Sequence, residues 1–165
     1  MAERNGADKL HLGFLRVVTL DAGYVGGLLV TNRIGRPLEF QCTTPVRPNR
    51  TQELLYGATL EGFLFTEVLG RTLFDRTAVK PDVLLIDQPA LLAIREQLAI
   101  GVIQLPASSE GLAEAILDAA VLHDEHPGDR DWIERLRKAI PASADIREPL
   151  DRVQDALQEA LRAAA

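Results

Sequence analysis

Lys-Pro-Asp-Val-Leu-Leu-Ile-Asp, residues 80–87, is followed by Gln88 and Pro89. A proline opens this run, four branched apolar residues fill it, and an aspartate closes it, a pattern typical of a strand buried on both faces. We therefore predict an interior strand over residues 82–87. Its last residue, Asp87, would lie at the carboxyl end of the strand, where open α/β sheets place their ligand crevices.

Three strands are predicted before this stretch, over residues 12–20, 26–32 and 38–43, with glycine-containing turns between them. Such a succession indicates an antiparallel meander. A proline-punctuated loop follows, and Asn49 with Gln52 three residues later has the spacing of a capping box, so a helix is expected to begin near Arg50. We expect Tyr56 and Gly57 to interrupt this helix.

The remainder of the chain is predicted to be mostly helical. A helix over residues 90–98 and a short strand over 101–105 follow the central strand, and the two crossovers require parallel pairing. Apolar periodicity then predicts helices up to His123, over 132–140 and over 149–163. In the last of these, Leu150, Val153, Leu157 and Leu161 share one face, which either closes the core of its own chain or packs against a partner.

The 165 residues are enough for one ordinary domain with a small appendage. We predict a flexible leader over residues 1–10, an α/β core over 11–125 and a helical extension over 126–165. The first ten residues are polar, and no apolar run is long enough to span a bilayer, so we expect a cytoplasmic protein without a membrane partner. Its single cysteine, Cys42, cannot form an internal disulfide.

The net charge of −6 arises entirely after residue 109, because the first 109 residues are balanced. An acidic protein does not favour nonspecific binding to nucleic acid, whose phosphates must be neutralised by basic groups. Nucleic-acid binding would therefore need a local basic patch. Arg47 and Arg50, beside the predicted start of a helix, are candidate phosphate ligands, although two arginines near a loop are also commonly just solvated.

The predicted order of elements, three strands, helix, strand, helix, strand and then helices, resembles the ribonuclease H-like fold. Within that fold, residues 12–106 are similar to the endonuclease V family of metal-dependent nucleases. The matching residues are Asp21-Ala22-Gly23-Tyr24 after the first strand, residues 81–87, and Glu53 on the first turn of a helix. The resemblance implies that Asp21, Glu53 and Asp87 hold magnesium. Gln88-Pro89-Ala90 stand where the family has glycine-histidine-glycine after the central aspartate.

The same three carboxylates are candidates on chemical grounds. A hard cation that promotes phosphodiester hydrolysis needs several oxygen ligands from different elements, together with bound water. Asp21 and Asp87 are predicted to end neighbouring strands at one edge of the sheet, with Glu53 above that edge. The structural alternatives are that Asp21 is a turn residue before Gly23 and that Asp87 caps the helix that follows it.

Two functions follow from these predictions. The first is a ribonuclease H-like protein that handles nucleic acid, as a magnesium-dependent phosphodiesterase that uses Asp21, Glu53 and Asp87. The second is a non-catalytic subunit that keeps this fold and docks onto a protein partner through its acidic C-terminal helices. The first function is the leading prediction. The replacement of glycine-histidine-glycine, the acidic composition and the amphipathic last helix favour the second.

Overall fold

Five strands form a single mixed sheet in the computed structural model, which describes residues 9–107 and 113–164. Their order is β3-β2-β1-β4-β5. Neighbouring strands of the β1-β2-β3 meander are antiparallel, whereas β4 runs parallel to β1 and β5 runs parallel to β4. The predicted fold class, a ribonuclease H-like mixed sheet with helices, is confirmed. The strands are β1 (Leu12–Leu20), β2 (Gly23–Thr31), β3 (Pro37–Cys42), β4 (Val83–Ile86) and β5 (Gly101–Gln104).

Helices cover both faces of the sheet. The α-helices are α1 (Arg50–Tyr56), α2 (Leu60–Phe63), α3 (Arg71–Arg76), α4 (Ala113–Asp118), α5 (Arg130–Ala139) and α6 (Glu148–Ala164). Within the described residues, Gly57–Thr59, Pro89–Glu96 and Pro127–Asp129 are 3-10 helices, and Leu64–Gly70 is π-helical. None of the helices in residues 9–107 and 113–164 is long and apolar enough to cross a membrane.

Strand β4 is buried on both faces, as the apolar run predicts. All four of its residues are at most 1% exposed. Side chains alternate across a strand, so Val83 and Leu85 join the apolar cluster shared with α4, α5 and α6, whereas Leu84 and Ile86 join the cluster beneath the helices before and after β4. The parallel crossovers on both sides of β4 explain why it has no polar face.

The C-terminal helix closes the core of its own chain. Leu150, Val153 and Leu157 are completely buried, and α6 packs on β1 and β2. Gly27 permits this close approach, since a Cβ atom at that position would lie 2.8 Å from Val153 Cγ1. The same apolar cluster contains Leu117 from before residue 126 and Leu136 from after it. Of the predicted leader, residues 1–8 lie outside the described residues, and Leu10 is buried.

The helix after the proline-rich loop begins as predicted. Asn49 Oδ1 accepts from the backbone N–H of Gln52, and Gln52 Oε1 accepts from the backbone N–H of Asn49, which completes the capping box. The interruption predicted at Tyr56 and Gly57 is also confirmed, because α1 ends at Gly57 with a φ of +54° that favours glycine. No residue of α1 is buried, so α1 projects from the core. The later part of this helical segment joins the core.

Leu85→Ala should lower the free energy of unfolding by about 2–5 kcal/mol, because the truncated side chain leaves a cavity in a fully buried strand. A urea denaturation curve measures the effect. Leu38→Ala is the matched control, since Leu38 is 42% exposed on β3 and its truncation should change stability by only about 0.5 kcal/mol. Equal effects at the two positions would contradict the interior placement of β4.

Candidate functional site

The carboxylate of Asp87 lies directly after β4 and is held by two arginines. Asp87 is 5% exposed, and its Oδ2 atom accepts a hydrogen bond from Arg16 Nη2 at 2.5 Å. The same oxygen accepts from Arg147 Nη1 and Nη2 at 3.2 and 3.1 Å. The other oxygen, Oδ1, is buried and has no hydrogen-bond partner among the described residues. The site therefore contains one carboxylate and two guanidinium groups.

The register of the sheet brings Arg16 to Asp87. Phe14 on β1 is opposite Leu85 on β4, and two residues further along both parallel strands are Arg16 and Asp87. Because side chains alternate with a period of two, Arg16 and Asp87 point to the same face of the sheet as Phe14 and Leu85. That face is the one covered by α6.

The two arginines also connect Asp87 to the C-terminal helix and to the loop after β5. Arg16 Nη1 donates to the carbonyl oxygen of Leu150 at 3.2 Å and to Gln154 Oε1 at 3.0 Å, both on α6. Arg147, just before α6, donates from Nη1 to the carbonyl oxygen of Pro106 at 2.6 Å. One carboxylate thus joins β1, β4, the loop after β5 and the start of α6.

Gln88, the residue after Asp87, extends the pairing of β1 with β4. Its side-chain Nε2 donates to the carbonyl oxygen of Val17 at 2.8 Å, and its Oε1 accepts from the backbone N–H of Val17 at 2.8 Å. Pro89 then begins a 3-10 helix whose N-cap is Gln88, without a side-chain capping bond. Asp87 accordingly bonds to the arginines, and the alternative that it caps this helix is not observed.

Asp21 lies beyond the end of β1, at a different level of the sheet from Asp87. Asp21 is exposed in the turn before Gly23, and the Arg47 guanidinium donates to its backbone oxygen. Arg16, the residue on β1 beside Asp87, precedes Asp21 by five positions, which corresponds to roughly 16 Å along an extended strand. Strand β1 has nine residues whereas β4 has four, so β1 continues past the end of β4.

Glu53 is on the exposed helix α1 and pairs with a residue of the same helix. Its Oε2 atom lies 3.2 Å from Arg50 Nη1. Within residues 9–107 and 113–164, no group of three or more His, Cys, Asp or Glu side chains is arranged so that it could hold a metal ion. The structure therefore does not bring Asp21, Glu53 and Asp87 together.

The residues around Asp87 do not fit a magnesium ion. A hard divalent cation prefers several oxygen ligands and keeps bound waters. Asp87 instead faces two guanidinium groups, whose positive charges repel a cation and whose N–H groups already occupy Oδ2. In the part of the chain that the structure describes, the ion pairs of these two arginines include one other carboxylate, that of the exposed Asp151 on α6, 3.3 Å from Arg16.

Arg47 and Arg50, the predicted phosphate ligands, are exposed at the start of α1. Arg50 pairs with Glu53, and Arg47 donates to the backbone oxygen of Asp21. Since the capping box already occupies backbone donors of this short helix, its N-terminus adds little to an anion site. The role of these arginines in phosphate binding stays a prediction.

Sequence reasoning missed Arg16 and Arg147. A signal existed for Arg16, because it interrupts the alternating apolar positions Leu12, Phe14 and Val18 of β1. A charged residue on a face that packs against the core needs a partner of opposite charge. No comparable signal exists for Arg147, whose partner Asp87 is 60 positions away in sequence.

Comparison with solved structures found weak similarity to known proteins. Two structures similar to this chain are crystal structures from Ciona intestinalis, bound to DNA that contains an inosine followed by a ribo-adenosine. Both are endonuclease V. Their sequences are 18% and 16% identical to this chain, they cover 78% of it, and the TM-scores are 0.42 and 0.40.

This chain spans 56% and 55% of the length of those two endonuclease V proteins. No family model matches the chain, and no curated protein matches it.

Asp87→Asn should lower the free energy of unfolding by about 3–5 kcal/mol, because it leaves two largely buried guanidinium groups without their anion. Asp21→Asn is the control and should have an effect within about 0.5 kcal/mol, since Asp21 is exposed. Chemical denaturation of both variants measures the difference. A stability unchanged or raised by Asp87→Asn would show that the carboxylate is strained in the folded protein, as metal ligands without their metal often are, and would contradict the structural role.

Proposed function

We propose that the protein is a non-catalytic protein of the ribonuclease H-like fold, and that it acts by binding a protein partner. The observation that carries this proposal is that the carboxylate of Asp87 forms ion pairs with Arg16 and Arg147. The carboxylate at the end of β4 is the position where the fold would place a metal ligand, and here it bonds to two cationic side chains. Its function is then to hold the C-terminal helix against the sheet.

The burial of Asp87 supports the same proposal. Hydrolysis assisted by a metal ion requires an open coordination position for water and access for the phosphodiester. Asp87 is 5% exposed, and the face of the sheet on which it lies is covered by α6. Because α6 inserts three completely buried side chains into the core, uncovering Asp87 would expose that apolar surface at a cost of several kcal/mol, at about 1.5–3 kcal/mol per side chain.

The competing proposal is a magnesium-dependent phosphodiesterase that handles nucleic acid. It would require Asp21 and Glu53 to approach Asp87 and both arginines to leave it. Asp21 follows a strand that extends well beyond Asp87, and Glu53 lies on a helix without buried residues. These changes would break the pairing of β1 with the end of β4, so the geometry favours the non-catalytic function.

The structure also affects which surface can bind a partner. The apolar stripe of α6, predicted as a possible docking face, is buried within its own chain, so a partner at α6 would meet exposed charged residues such as Asp155 and Glu159. Helix α1, in contrast, exposes apolar side chains and buries none. We therefore assign the partner surface of this proposal to α1.

The protein should neither bind manganese nor cleave nucleic acid. Electron paramagnetic resonance of added Mn²⁺ should show only the signal of the free hydrated ion, because guanidinium groups surround the one buried carboxylate of this site. Labelled DNA and RNA oligonucleotides, with and without inosine, should remain intact in the presence of Mg²⁺ or Mn²⁺. Asp21→Asn is the control preparation, because Asp21 is exposed and the variant should stay folded. Cleavage that depends on the metal and disappears in Asp21→Asn would overturn the proposal.

A further inference from the structure

Helix α1 presents an unusual concentration of exposed apolar side chains. Six large apolar side chains are exposed among residues 9–107 and 113–164, and three of them are consecutive on α1. Leu54 is 65% exposed, Leu55 is 79% exposed and Tyr56 is 36% exposed. Isolated exposed leucines are common on protein surfaces, whereas three successive exposed apolar side chains on an ordered helix form a candidate contact surface. We call residues 44–63, which carry this patch, the α1 arm.

Helix α1 itself makes only local contacts, whereas the two ends of the α1 arm are attached to the core. Val46 pairs with Tyr24 of β2, and Leu60 and Phe63 pack against the apolar cluster. The capping box fixes the start of α1, and the rings of Tyr56 and Phe63 stack with their centroids 4.5 Å apart. A Cβ atom at Gly57 or at Gly62 would have no neighbouring atom within 4 Å, so the arm is open to solvent beside both glycines. A seven-residue helix has little stability alone, and α1 gains none from burial within its own chain.

The charges of the α1 arm favour a second copy of the same chain. The arm carries Arg47 and Arg50 against Glu53 and Glu61, so its formal charge is balanced although the whole chain carries −6. In a dimer with twofold symmetry, the same patch contacts itself. A balanced patch avoids the repulsion between like charges that the acidic C-terminal region, after residue 109, would cause in such a contact.

The same features disfavour nucleic acid as the occupant of the arm. Single-stranded nucleic acid is held by unpaired basic residues and by aromatic rings on which bases stack. Arg50 pairs with Glu53, Arg47 donates to the backbone, and Tyr56 already stacks on Phe63. The most exposed apolar side chains of the arm, Leu54 and Leu55, offer neither charge nor a ring.

We infer that the α1 arm is a self-association surface, on which the α1 arm of a second copy of this chain docks about a twofold axis and covers Leu54 and Leu55. This inference rests on the proposed non-catalytic function and names the partner that the function uses. Burial of these leucines in the dimer supplies the apolar contact that α1 lacks within one chain.

Sedimentation analysis of the full chain tests the inference. The wild-type mass should rise from 18.1 kDa toward twice that value as the protein concentration increases. The double substitution of Leu54→Asp with Leu55→Asp should weaken association at least about tenfold. Its melting temperature, measured in dilute solution where wild type is monomeric, should match that of wild type. Ile34→Asp is the matched control, because Ile34 is 62% exposed on the turn between β2 and β3 and should leave the mass unchanged.

Arg50→Glu provides a second variant that keeps the apolar patch. It gives the arm an excess of negative charge, so association should weaken at low salt and recover partly at high salt as the repulsion is screened. A wild-type protein that remains at 18.1 kDa at every concentration would overturn the inference, as would a dimer that survives in the double leucine variant or is lost in Ile34→Asp.

Fluorescence anisotropy with a labelled single-stranded oligonucleotide tests whether the α1 arm binds nucleic acid instead of a second copy of the chain. Binding that is lost in the double leucine variant would assign the arm to nucleic acid and overturn self-association. Failure of self-association without any manganese binding or cleavage would leave the non-catalytic function standing, so the two proposals fail independently.

Discussion

The ion pairs between Asp87 and its two arginines place three charged groups where the sheet, the loop after β5 and the start of α6 meet. Charges removed from water are stable only when they are paired, and the loss of one partner of such a pair is strongly destabilising. Arg16 and Arg147 bond to the same oxygen of Asp87 and also reach backbone carbonyls beyond it. The position of α6, and with it the closed state of this face of the sheet, therefore depends on Asp87.

The role of the carboxylate after β4 depends on the residues beside it. An aspartate after a buried strand is well placed to hold a cation when other carboxylates surround it. The residue beside Asp87 on the neighbouring strand is Arg16, so the local charge is reversed and the carboxylate becomes a structural anion. In the proposed function, binding depends on exposed surfaces, of which α1 is the most apolar helical part in the described residues.

Much of the fold follows from local sequence patterns. The apolar run before Asp87 predicts β4, the pair Asn49 and Gln52 predicts the start of α1, and the stripe of leucines predicts the buried face of α6. The candidate site is less predictable because it depends on how far each strand extends. Asp21 and Asp87 both follow strands, but the nine-residue β1 continues past the end of the four-residue β4. Arg147 reaches Asp87 through a contact between distant parts of the chain, which no local pattern reveals.

A double-mutant cycle between Asp87 and Arg147 tests most directly the claim that this carboxylate is a structural anion. The free energies of unfolding of Asp87→Asn, Arg147→Gln and the double variant would be measured by chemical denaturation. Once either partner is removed, loss of the second should cost less, so the account predicts a coupling energy of about 1–3 kcal/mol. Additive effects of the two substitutions, to within about 0.5 kcal/mol, would contradict it.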